Sequence, residues 1–116
     1  MRLALCTGFL DGGVWEERLQ AVDIGISVID EYGSVDELLR SIAVYDAVVV
    51  ALKGVAGLQA VRTLREAGNN MPLLWIADED EYAHFAYRYQ VTFFLTDAEG
   101  AEALSNALSR VKETIA

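Results

Sequence analysis

The chain has 116 residues, 53% of them hydrophobic and 23% charged, with a formal net charge of -9. That length fits one compact domain spanning residues 1–116, and the acidic field disfavours direct contact with nucleic acid or with an anionic membrane surface. Cys6 is the only cysteine, so an intrachain disulfide is excluded. No apolar run reaches the length that crosses a bilayer and no secretory leader is visible, so the expected location is cytoplasmic.

Short apolar runs alternate with helical patterns. Arg2 to Cys6 reads as a first strand, and Gly13 to Val22 as a helix with Val14, Leu19 and Val22 on its apolar face. Gly25 to Ile29 reads as a second strand. Ser34 is an N-cap with Glu37 three residues on, and Leu38, Leu39 and Ile42 supply the apolar side of the helix it opens. Ala47 to Val50 is apolar at consecutive positions, which demands cover on both faces and places it centrally in a parallel sheet.

Gly57 to Ala67 carries Leu58, Val61 and Leu64 at helical spacing, with Gly68 just past its end. Leu73 to Ile76 follows Pro72 as a fourth strand. Asp80 to Arg88 is a fourth helix, Val91 to Leu95 a fifth strand, and Glu99 to Thr114 a last helix. Strand and helix in strict alternation predict an α/β, doubly wound parallel sheet between two helix layers. Val48, Val49 and Val50 are its expected centre, ringed by Leu3, Leu5, Ile26, Val28, Leu74, Ile76, Phe93 and Leu95. Ligands of such sheets bind beyond the carboxyl ends of the strands, which singles out the loops after Cys6, Ala51, Ile76 and Leu95.

On these residues the chain resembles a response-regulator receiver domain, most closely the receivers that precede LytTR-type DNA-binding domains. Met1 to Cys6, Tyr45 to Val50, Gly57 to Glu66 and Pro72 to Ile76 are similar to the family's first strand, third strand, third helix and fourth strand. Asp80-Glu81-Tyr82-Ala83 is similar to the opening of its fourth helix. The resemblance implies a flavodoxin-like sheet of order 2-1-3-4-5. It also implies a phosphoacceptor pocket, and there the residues depart from the pattern. Thr7-Gly8 stand where paired metal-binding acids are expected, and Ala51 stands where the phosphoryl-accepting aspartate is expected. Ala77 replaces the switch hydroxyl, and Thr96-Asp97 replace a lysine–proline pair. Phosphoryl transfer needs a nucleophile, a metal and a cation; without them the resemblance implies a degenerate, non-catalytic pseudo-receiver with no cofactor or metal. What remains is a protein-docking surface, for another protein or for a homodimer, on helix four, strand five and helix five.

Tyr82, His84, Phe85, Tyr87 and Tyr89 make that segment strongly aromatic. Tyr82, Phe85 and Tyr89 share one helical stripe, and Ala83, Ala86 and Tyr87 another. A single sheet cannot bury both, so Tyr82, His84, Phe85 and Tyr89 are candidate partner-binding residues. A bulky core helix with its hydroxyls in water is the competing reading.

Cys6 admits two readings as well: a buried structural thiol, or a phosphate-carrying cysteine like that of sugar-phosphotransferase IIB domains, with the loop from Thr7 to Gly13 as its cradle. That loop holds no Lys or Arg, which favours the structural reading. His84 reads as a solvent-facing residue. Asp11, Asp78 and Asp97 are expected near one another at the sheet edge, where they read as a solvated acidic rim and not as a site for a hard cation; Lys53 could pair with them but reads as an ordinary surface lysine. A small ligand over Ala51, in space left by the lost side chains, is a third possibility for the edge.

Overall fold

The computed structural model describes residues 1–8 and 12–115. Five strands, β1 (Arg2–Thr7), β2 (Val28–Tyr32), β3 (Ala47–Ala51), β4 (Leu73–Ala77) and β5 (Phe93–Thr96), form one parallel sheet in the order β2-β1-β3-β4-β5. The register runs Leu3 opposite Ala47, Val48 opposite Leu73, and Leu74 opposite Phe93. Helices α1 (Gly12–Gln20) and α5 (Ala101–Ile115) cover one face; α2 (Val35–Ser41), α3 (Gly54–Glu66) and α4 (Ala83–Arg88) cover the other.

Side chains of a strand alternate between faces, and this sheet divides its core accordingly. Leu3, Leu5, Val49, Leu74 and Ile76 pack with Trp15, Leu19, Leu104 and Leu108 under α1 and α5. Ala4, Cys6, Val48, Val50 and Trp75 pack with Leu38, Val61, Leu64 and Ala86 under α2, α3 and α4. All five residues of β3 are buried, as the unbroken apolar run requires.

Several expectations are corrected. The second strand begins at Val28, three residues beyond the predicted Gly25. Gly25 instead turns the chain with φ +80, its carbonyl accepting from the Met1 amine at 2.9 Å. Val28 is only partly covered because β2 is an edge strand, and Ile26, in the segment before it, is partly covered as well. Phe93 is also partly covered, on the opposite edge. In α1 it is Trp15, not Val14, that faces the core; Val14 is 56% exposed.

Helix α3 starts three residues before the predicted Gly57. The fourth helix opens with a 3-10 turn (Asp80–Tyr82), and β5 starts at Phe93, two residues after Val91. The Ser34 cap forms as read, its Oγ accepting from the Glu37 N–H at 3.3 Å.

Candidate functional site

Parallel pairing brings the ends of four strands to one edge. Thr7 lies opposite Ala51 in the β1–β3 register, and Ala77 opposite Thr96 in the β4–β5 register. Thr7, Ala51, Ala77 and Thr96 therefore close their strands side by side, with Gly8 directly after Thr7. Among the described residues their side chains point into different layers. Ala51 is 4% exposed and packs into the layer under α1 and α5, whereas Ala77 packs into the opposite layer.

The loop after Ala51 is short, only Leu52 and Lys53, and it is drawn tightly onto α3. A Cβ placed on Gly57 would stand 2.5 Å from the Leu52 carbonyl oxygen and 3.1 Å from Trp75 Nε1. Only glycine permits this approach. Across the edge, the Asp78 carboxylate accepts from the Gly54 N–H at 2.7 Å, serving the start of α3. Lys53 is exposed and forms no ion pair with the acids of the edge; among the described residues the one ion pair is Arg62–Glu66 at 2.8 Å.

Where the family resemblance implies a lysine, the structure places an acid against a hydroxyl. Glu99 Oε2 accepts from the Thr96 N–H at 2.8 Å and lies 3.5 Å from its hydroxyl. Beside Thr96 is an open depression of about 420 Å³ lined also by Asp78, Glu79, Asp80, Glu81 and Ala98. A hydrogen bond between the carboxyls of Glu79 and Glu81 raises the pKa of Glu79, with like-charge repulsion adding to it. An incoming phosphate meets a field of its own sign here. Among the described residues no group of three or more His, Cys, Asp or Glu side chains is placed to hold a metal ion. Asp11, the third member of the expected rim, lies outside the described residues, as do positions 9 and 10 of the proposed cradle.

Cys6 is fully buried, and burial pushes its thiol up to about 11. A thiol so held is protonated at neutral pH and is a poor nucleophile. It forms part of the wall of a cavity of about 240 Å³ between α2 and α3 that also touches Ser34, Val35, Leu52 and Ala60. Ala51 lines neither this cavity nor the acidic depression.

The aromatic segment divides differently from the expectation. Ala86 is buried at the centre of α4. Tyr82, Phe85 and Tyr89 are each half covered, Phe85 and Tyr89 on the flank that faces α3, and Tyr87 is 90% exposed. Tyr82 packs on Trp75 with ring centroids 5.9 Å apart, and Phe94 meets the same indole edge-on at 5.3 Å. His84 is exposed, with its ring against Phe85 at 4.9 Å. Phe85 and Tyr89 thus line a groove against α3 instead of facing α5.

A residue that the sequence did not mark fixes this arrangement. Arg65 of α3 donates to the carbonyl oxygens of Asn69, Met71, Tyr89 and Gln90, at 2.9 to 3.0 Å. One guanidinium therefore ties the end of α3 to the end of α4, where Gln90 turns the chain with φ 53.

No known family profile matches the chain, and no curated protein matches it. Solved structures do match, over nearly its full length. The response regulatory domain of protein mrkE from Klebsiella pneumoniae is similar with a TM-score of 0.77 at 11% identity, covering 99% of this chain and 98% of that one. A response regulator receiver protein from Pseudoalteromonas atlantica reaches 0.77 at 13% identity, with complete coverage of both chains. One from Burkholderia phymatum reaches 0.69 at 21% identity, covering 95% and 93%. The fold is that of receiver domains, with sheet order 2-1-3-4-5 between two helix layers. No helix among the described residues is long and apolar enough to cross a membrane.

Proposed function

We propose that this chain is a signalling module of receiver type that works through protein–protein contacts and not through phosphoryl transfer. The observation that carries the reading is Ala51, which closes β3 at the sheet edge, is 4% exposed, and offers only a methyl group where the resemblance to LytTR-associated receivers expects an aspartate. Thr7, Gly8, Ala77 and Thr96 replace the other chemical groups of such a pocket, and the Glu99 carboxylate at Thr96 opposes an incoming anion. In this reading the module is non-catalytic, cytoplasmic, and free of cofactor and metal. Its partner is a protein, which docks on α4 and the elements beside it. The buried, protonated Cys6 speaks against the IIB-like alternative.

Incubation with acetyl phosphate and magnesium, followed by intact-mass measurement, tests the chemical half. Unmodified protein is expected, and a stable phosphoprotein overturns the reading. Phe85→Asp tests the docking half: unchanged partner binding by a folded variant counts against α4.

A further inference from the structure

Between α3 and α4 lies a groove of about 450 Å³ whose walls include Val55, Leu58, Arg62, Phe85, Arg88 and Tyr89. Each wall follows helical spacing. On α3, Val55 and Leu58 precede Arg62; on α4, Phe85 precedes Arg88 and the capping Tyr89. Both helices return from the carboxyl edge of a parallel sheet, so they run in the same direction. The groove is therefore apolar toward the carboxyl edge and cationic toward the other end. At 1.5 Å per residue, the step from Leu58 to Arg62 is about 6 Å along the axis. Val55 is 58% exposed and Phe85 is half covered, so the apolar part is open to solvent. Arg62 is held by Glu66 at 2.8 Å, whereas Arg88 makes no ion pair among the described residues and stands 6.0 Å from the centroid of the Tyr89 ring. The bonds from Arg65 to the Tyr89 and Gln90 carbonyls fix the end of α4 against α3, so these walls are set before anything binds.

Charge decides what such a groove accepts. Over the whole chain acids outnumber bases 18 to 9, but of the three charged side chains lining the groove two are arginines and one is Glu66. A basic partner is drawn to the acidic remainder of the surface, above all the depression at Asp78 to Glu81, and is opposed in the groove by Arg88. An acidic partner meets the converse. Its orientation is set as well, because the depression lies at the carboxyl edge and pushes a carboxylate toward the Arg88 end. We infer that the α3–α4 groove takes an acidic, amphipathic segment of a partner protein, which seats an apolar side chain between Leu58 and Phe85 and a carboxylate on Arg88, about one helical turn further along. This deepens the interaction-module reading and rests on it: it names the partner's chemistry and puts its seat on the flank of α4 that faces α3. A standard interface buries about 800 Å² per partner, roughly an eighth of the 6323 Å² surface of this chain. The groove supplies less than that, so the contact is a transient one.

Selection of random dodecapeptides displayed on phage against the whole immobilised chain, followed by fluorescence anisotropy of the enriched peptides, tests this, with circular dichroism to verify that each variant folds. Enriched peptides are expected to pair Asp or Glu with aliphatic or aromatic residues. R88E should weaken their binding about tenfold or more, because it sets like charges face to face. R88K keeps the charge and should retain most of the binding. R110E makes the same change of net charge on an exposed part of α5 and should stay within about twofold of wild type, because charges far from the contact are screened. V55D, at the exposed apolar end, serves where R88E does not fold, and the same loss is expected of it. Basic or uncharged selections, no selection at all, an R88E chain that binds like wild type, or an R110E chain that loses as much as R88E would each overturn the inference. Its failure is separable from that of the functional reading. A phosphoprotein after acetyl phosphate refutes that reading whatever peptides are selected, and acidic peptides that ignore R88E refute the groove while leaving the reading in place.

Discussion

The N–H of Gly54 donates to the carboxylate of Asp78 at 2.7 Å, joining the first residue of α3 to the residue that follows β4. The first N–H groups of a helix lack partners within it, and a carboxylate there also meets the positive end of the helix dipole. In this protein an acid at the sheet edge serves the backbone. Asp78→Ala is expected to cost about 1 kcal/mol in urea unfolding, with Asp78→Asn retaining part of it. Unchanged stability in the alanine variant would show that the bond contributes nothing net.

Gly57 offers a sharper test of how closely the loop after β3 approaches α3. Alanine in a helix interior ordinarily adds up to about 1 kcal/mol over glycine. Here the new methyl would meet the Leu52 carbonyl at 2.5 Å, with the Trp75 indole behind it. Gly57→Ala is therefore expected to destabilise by about 1–3 kcal/mol and to alter the fluorescence of Trp75, which is fully buried. A stabilised variant would contradict the close approach.

Arg65 should be the costliest cation to replace. Its guanidinium reaches four carbonyls in two backbone segments, and burial lowers its pKa by penalising the charge. Lysine cannot reproduce the planar fork. Arg65→Lys is expected to lose about 2–3 kcal/mol and to speed amide exchange around Tyr89 and Gln90. Exposed Arg40→Lys serves as the control, with little change expected.

Cys6 predicts the alkaline behaviour. Its ordinary value of 9.0 is raised to about 11 by burial, so the folded chain favours the neutral thiol. The stabilising effect is complete below pH 9 and is lost as pH rises from 9 toward 11, where the unfolded thiol ionises first. Two units correspond to at most about 2–3 kcal/mol. Burial and the hydrogen bond to Asp30 also raise Tyr45, which adds a further loss at higher pH in any variant that retains it. Cys6→Ala should thus be less stable than wild type at pH 8, with the gap narrowing by pH 10.5. A constant gap would contradict the shift.

The sequence exposed those features that demand a particular composition. β3 was legible because a strand covered on both faces must be apolar at every position, and Ser34 because a cap needs a side-chain acceptor. The second strand was misplaced because an edge strand has no such demand. Asp30 and Glu31 lie within it, exposed, while the more apolar run before them forms a turn around Gly25. The alanines and threonines that close the strands were found by resemblance, and the structure sets those residues side by side. Arg65 was missed because its acceptors are backbone carbonyls, which leave no trace in residue identity. Phe85 and Tyr89 were placed on one stripe correctly, but spacing within a helix does not say which neighbour that stripe faces.

The most direct test of the silent sheet edge is an amide-resolved NMR titration of the whole chain with magnesium and then beryllofluoride, which mimics a phosphoryl group on a carboxylate. The account predicts that the amides of Thr7, Gly8, Ala51, Ala77 and Thr96 keep their positions through both additions. Saturable shifts confined to those five amides would contradict it.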